Sequence, residues 1–426
     1  MTNRISPKLG REGLLAFFRT RSPLGPLKVM AKHVGRFFQI PIPGFRPYVV
    51  FGPQAARQVL VTEREKVLWR NHDPVTDLLQ HGVLVVDGEE HDRYRRLMEP
   101  PLHPTALAGY SQMMLSHTDR VIAQWSNGQI VDMLVEGRKI ALLIVMDALF
   151  SVDAQDNLPR IWTPILKAIE YISPGGWIFW RKIPRFGYRK SLKAIDDYLY
   201  GIISERRQVT KRNGQSSTVH GPNDLLQHLM DADLSDQIIR DQMLTMLIAG
   251  HDTSTALLAW TFALLGQHPE IYARLLKEID TMAKSPLLDH VIKESLRLYP
   301  PIHTGMRLVN ENMDFEGNAI PAGNRMFYSI YLTHRDPATW ENADRFCPDR
   351  FVSGRKTHPF AYIPFGGGPR ACIGAAFGQA EARLVLTCLL QSHHFELVNT
   401  NIHAHMGATL EPRPGVFMRV TKRKIN

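Results

Sequence analysis

The run Pro364-Phe365-Gly366-Gly367-Gly368-Pro369-Arg370-Ala371-Cys372-Ile373-Gly374, followed by the helical pattern Ala375 to Leu390, decides how this chain is read. It puts the Cys372 sulfur at a helix N-terminus beside Arg370, and both features favour the thiolate, the form of cysteine that ligates metals. The glycines let the backbone approach a flat ligand closely and aim N–H groups at the sulfur, which tunes a metal–thiolate bond. Gly366-x-Gly368-x-x-Ala371 also matches a dinucleotide fingerprint formally, but that fingerprint needs a βαβ unit and an acidic residue about 20 positions on. Pro369 interrupts the turn and only 55 residues follow Ala371, so the nucleotide reading is set aside.

The pattern F-x-x-G-x-R-x-C-x-G, carried by Phe365, Gly368, Arg370, Cys372 and Gly374, resembles the haem-binding loop of the cytochrome P-450 family. Three more motifs of that family occur in order, so the resemblance runs from about Gly52 to the end of the chain.

Glu294-x-x-Arg297 puts an acid and a base on one helical face, which alone is most often a solvated pair worth little. The family pairs it with the arginine of F-x-P-x-R-F, matched here by Phe346, Pro348, Arg350 and Phe351, with Asp349 where Glu is commoner. The resemblance implies that Glu294, Arg297 and Arg350 form a buried structural network beneath the haem loop.

Ala249-Gly250-His251-Asp252-Thr253-Ser254 lies in the longest helical pattern. Ala249 and Thr253 share a face, Gly250 weakens the helix, and the Thr253 hydroxyl can turn onto a carbonyl one turn back. The resemblance makes Asp252 and Thr253 the acid–alcohol pair that delivers protons for cleavage of dioxygen. In Gly88 to Arg96, His91 and Arg95 lie within about 40° of each other while Arg93 and Arg96 point the other way. The resemblance assigns His91, Arg95, Arg307 and Arg370 to the haem propionates. Arg93 and Arg96 are a solvated charged face or a docking face for a redox partner.

Outward from these motifs, 426 residues with 44% hydrophobic content supply a large core and exclude disorder. The charge of +10 points to an anionic partner, and with no nucleic-acid motif in view, nucleic acid is dropped. Cys347, Cys372 and Cys388, odd and sparse, argue for a reducing compartment. The apolar run Leu14 to Phe18 is closed off by Arg19 and Arg21, and Ile140 to Met146 meets Asp147, so neither is a membrane anchor. A soluble, cytoplasmic, bacterial-type protein is expected, with peripheral membrane contact left open. Trp177 to Arg185 mixes aromatics with cations and reads as a substrate-entrance flap, a membrane-touching lip or core. His393, His394, His403 and His405 read as solvated, because no acid or cysteine completes a metal site.

The expected plan is mainly α with small β-sheets near both ends, a single domain over 1–426 with about 1–40 as an N-terminal extension. The part through about Leu60 reads as mixed strand and loop, and 89–284 as strongly helical. The resemblance implies a haem-thiolate monooxygenase with haem b on Cys372, acting on a hydrophobic lipid, terpenoid or polyketide-like substrate with O2. Val75, Leu247, Ala249, Ile302 and Thr304 are expected to line its pocket. No flavin or ferredoxin segment follows the cysteine, so electrons are expected from a separate ferredoxin or flavodoxin with its reductase. A peroxygenase or isomerase needing no reductase, and a non-catalytic gas-binding haem protein, are disfavoured because Asp252-Thr253 is intact.

Overall fold

A helix that is apolar on every side belongs in the middle of a protein. Two helices here have that character, Met133–Phe150 and Asp236–Gln267, and they pack along each other. Asp132 and Ser235 cap them by accepting the backbone N–H groups of Leu134 and Ile238. Around this pair, amphipathic helices turn single apolar faces inward: Leu107–Ile122, Leu158–Ile172, Pro269–Thr281, Pro286–Leu298 and Ala375–Ser392. Their buried residues merge into one continuous cluster. The computed structural model describes residues 7–40, 45–69, 73–174, 187–212, 224–352 and 358–423, and the segment Trp177 to Arg185 lies outside them.

A five-stranded sheet flanks the helices in the order Phe37–Gln39, Tyr48–Val50, Arg325–Ser329, Thr304–Val309, Val67–Leu68. Tyr48 pairs with Met326 in parallel register, and Thr304 pairs with Ser329 antiparallel. Along Thr304–Val309 burial alternates, which turns Gly305, Arg307 and Val309 to one side. Gly305 is required there: a Cβ would lie 2.1 Å from the ring of Tyr328, its register partner, and that ring also flanks Arg307. Near the other end of the chain, Ile130–Asp132, Phe417–Lys422 and His393–Leu397 form a second sheet, and His403–Met406 pairs with Leu410–Arg413 as a hairpin.

The N-terminal part differs from the sequence expectation. Helices Pro7–Thr20 and Leu24–Val34 replace the mixed strand and loop, and strand begins only at Phe37. Leu24, Leu27, Ala31 and Val34 follow helical spacing, and prolines in a first turn cost no hydrogen bond, so Pro23 and Pro26 do not break the second helix. Leu24, Met30 and Phe38 are buried with Tyr331, Leu332 and Leu410, so residues 24–38 belong to the core.

Candidate active site

The cysteine loop is shaped by two left-handed glycines, Gly366 at φ +70° and Gly368 at φ +66°. A Cβ on Gly368 would meet the Leu60 carbonyl oxygen at 2.3 Å, so the loop rests directly on that backbone. The Cys372 N–H donates to the Phe365 carbonyl at 2.8 Å. The Gly374 N–H is aimed at the sulfur. Cys372 is exposed, although the surrounding protein still dominates its titration. Beyond it, Gly374 and Gly378 have nothing within 4 Å of where a Cβ would stand, leaving an open floor at the start of Ala375–Ser392.

One electrostatic expectation is corrected. Burial pushes the Cys372 thiol up, opposed by the Gly374 N–H and by Arg95 rather than by Arg370. The Arg370 guanidinium turns away to the Val86 carbonyl and the Asp87 carboxylate, each at 2.7 Å.

The roof is the middle of Asp236–Gln267. Ala249 is exposed and Gly250 and Thr253 are half-buried, although the helix on either side is buried. The Thr253 hydroxyl donates to the Ala249 carbonyl at 2.8 Å. Leu247 does not join them: it is 1% exposed, because two residues along a helix turn it about 200° from Ala249. Asp252 is buried, with Arg138 Nη2 at 3.0 Å and the Thr409 hydroxyl donating to it at 2.8 Å, and Arg138 also holds Glu411. Ser254 donates to Glu381 at 2.6 Å, joining roof and floor, and burial pushes Glu381 up to about 8. Arg138, Thr409, Glu411 and Glu381 were not foreseen from the sequence.

Basic side chains gather at the rim. Arg95 donates to the Ala371 carbonyl of the loop at 2.7 Å. Arg307 is buried, stacks 4.0 Å from the centre of the Trp69 ring and donates to the Met306 carbonyl at 2.7 Å. Burial holds Arg307 below its ordinary range and brings Arg370 down to about 10, with Arg307 and Arg95 adding to the effect on Arg370. His91 is buried against Asp92 at 2.8 Å and is kept below its usual pKa by burial, against the pull of that hydrogen bond. Among the described residues only Arg370 of the three arginines hydrogen-bonds a carboxylate; Arg95 and Arg307 meet neutral groups.

Elsewhere, Glu294 accepts from Arg297 at 2.7 and 2.8 Å, from Arg350 at 3.0 Å and from the Cys347 N–H at 2.9 Å. Arg297 spends its other hydrogens on the carbonyls of His334, Ala343 and Arg345. Arg93 and Arg96 are exposed on the outer side of Gly88–Met98. Ile302 is 41% exposed, Thr304 bonds the His303 ring at 3.1 Å, and Val75 packs on the main core.

A flat group with two acid arms fits this arrangement: a sulfur and open glycine floor on one side, a helix with a bared middle on the other, and two guanidiniums without a carboxylate at the rim. Haem has that shape and charge, and a haem-thiolate oxidoreductase is the class the site defines. The family model for cytochrome P450 matches residues 13–418. Pentalenene oxygenase of Streptomyces avermitilis is 32% identical over 402 residues, 87% of this chain and 86% of the relative. Cyclooctat-9-en-7-ol 5-monooxygenase of Streptomyces melanosporofaciens is 30% identical, covering 87% and 84%. Among solved structures, retinoic acid-bound cyanobacterial CYP120A1 superposes with a TM-score of 0.82 at 25% identity, over 93% of this chain and 94% of that one. The chain belongs to the cytochrome P450 family, whose members are haem-dependent monooxygenases using O2, an organic substrate and a redox partner. No helix among the described residues is long and apolar enough to cross a membrane.

Proposed function

We propose that this chain holds haem b on Cys372 and inserts one oxygen atom of O2 into a hydrophobic substrate of the terpenoid class, with electrons from a separate ferredoxin or flavodoxin. The observation that carries the reading is the Cys372 sulfur, with the Gly374 N–H aimed at it, at the start of a helix whose Glu381 is tied to Ser254, next to Thr253. Bound there, haem supplies oxygen activation, which thiolate ligation favours.

The chain's own residues do the rest. Arg95 and Arg307, neither of which hydrogen-bonds a carboxylate, would take the propionates. The Thr253 hydroxyl, resting on the Ala249 carbonyl, can hold a proton at the roof of the slot. Asp252 is a proton source held back by Arg138 and Thr409, so delivery requires its carboxylate to loosen from that clamp. The terpenoid reading draws on the two Streptomyces relatives and on the apolar surface offered by Ala249 and Ile302.

A carbon monoxide difference spectrum of the reduced protein tests the ligation. A haem-thiolate band that vanishes in Cys372→Ala is expected, and an unligated-haem or histidine-type spectrum in the unaltered protein sinks the proposal. A spin-state shift on titration with cyclic terpenes would support the substrate class. Arg93 and Arg96 face outward as cations, which suits an acidic electron donor. Reversing both charges should slow reduction several-fold and flatten its salt dependence; an unchanged rate removes them from docking.

A further inference from the structure

Four large exposed apolar side chains fall within five consecutive residues: Leu14 at 58%, Leu15 at 60%, Phe17 at 41% and Phe18 at 67% exposure. Other exposed apolar residues such as Val61, Ile130 and Met282 stand singly and need no explanation. The four lie on the outward side of Pro7–Thr20 and span about 160° of it. The inner side is already committed. Leu9 packs with Leu24 and Met30, Glu12 pairs with His33 at 3.3 Å, and Ala16 lies so close to Gly25 that a Cβ there would meet its carbonyl oxygen at 2.6 Å.

The charges around the patch have one sign. Lys8 and Arg11 precede it and Arg19 and Arg21 follow; all four are exposed, and none forms an ion pair among the described residues. Glu12 is the one acid in residues 7–21, and His33 takes it. A convex apolar face with cations at both ends is not a groove for a peptide. Its complement is a flat surface that is apolar beneath and anionic on top.

We infer that residues 7–21 seat this protein on an anionic lipid surface. Leu14, Leu15, Phe17 and Phe18 enter the interface, and Lys8, Arg11, Arg19 and Arg21 meet the head groups. The helix lies in the plane of the membrane, anchored from behind by Leu24–Val34, and its binding requires neither haem nor turnover.

Co-sedimentation of the full chain with phosphatidylcholine–phosphatidylglycerol vesicles tests this. Binding is expected that weakens with salt and is far weaker on phosphatidylcholine alone. The double variant Leu14→Ser, Phe18→Ser should lower it about tenfold or more with an unchanged circular dichroism spectrum. Arg11→Gln with Arg19→Gln should bring binding on anionic vesicles down toward that on neutral ones. The inference is overturned if the unaltered chain stays in the supernatant, or if the double variant binds as well as it does. Self-association in size-exclusion chromatography that the double variant abolishes would also overturn it, by assigning the face to a second copy of the chain.

Discussion

Two clusters of arginine behave in opposite ways. Around Glu294, each guanidinium is held by hydrogen bonds: one carboxylate takes Arg297 and Arg350, and backbone carbonyls take further guanidinium hydrogens. Arg95 and Arg307 hydrogen-bond carbonyls and a tyrosine hydroxyl, and Arg307 stacks on an aromatic ring; neither hydrogen-bonds a carboxylate among the described residues, although Asp87 acts on Arg307 from a distance. A cluster whose arginines share an internal carboxylate is structure, because removing that carboxylate strands them. One whose arginines hydrogen-bond no carboxylate is suited to take one from a ligand.

Breaking the Glu294 cluster should have the largest effect. Glu294→Gln leaves two guanidiniums facing a neutral amide and should cost about 3–5 kcal/mol in urea unfolding, or prevent folding altogether. A loss under about 1 kcal/mol would mean the two clusters are not different in kind. Acid attacks the same cluster through His334, which receives the Ile363 N–H at 2.8 Å and donates toward the Arg297 carbonyl at 3.2 Å. Burial, aided by the charge of Arg297, brings His334 down to about 3. A depressed histidine pKa means the unfolded chain binds more protons, so stability holds above about 6.5 and drains away as pH falls toward 3. By about pH 5 the loss from this group should reach about 2 kcal/mol, and His334→Gln should show a correspondingly shallower pH dependence.

The receptor cluster should respond differently. Arg307→Gln removes a buried cation that hydrogen-bonds no carboxylate, so the chain should stay folded by circular dichroism while haem passes to excess apomyoglobin about tenfold faster, roughly 1.4 kcal/mol. Loss of folding with haem affinity intact would sharpen the comparison the other way, making Arg307 a structural member like Arg297.

What was legible from the sequence was whatever sits on a single element. Cys372 and its glycines, Glu294 with Arg297, and the split between His91–Arg95 and Arg93–Arg96 follow from spacing along one loop or helix. Arg350 was added by the family motif. The clamp on Asp252 was not legible, since Arg138 lies 114 residues away and Thr409 157. The pairing of Arg370 was not legible for the same reason: the carboxylate it meets, Asp87, is 283 residues away in sequence. Leu247 was a different error, because the helical angle from Ala249 already turned it away. At the N-terminus, proline and glycine outweighed the apolar spacing of Leu24, Leu27, Ala31 and Val34, which was the better guide.

The Ser254–Glu381 hydrogen bond acts as a crossbar in a frame. It ties the helix above the slot to the helix below, one residue from Thr253 and nine from Cys372. The headroom between them is therefore set by the scaffold and not by whatever lies inside. Ile302 and Thr304, the side wall of the proposed pocket, lie outside both helices, so in that proposal the wall can change without moving the crossbar.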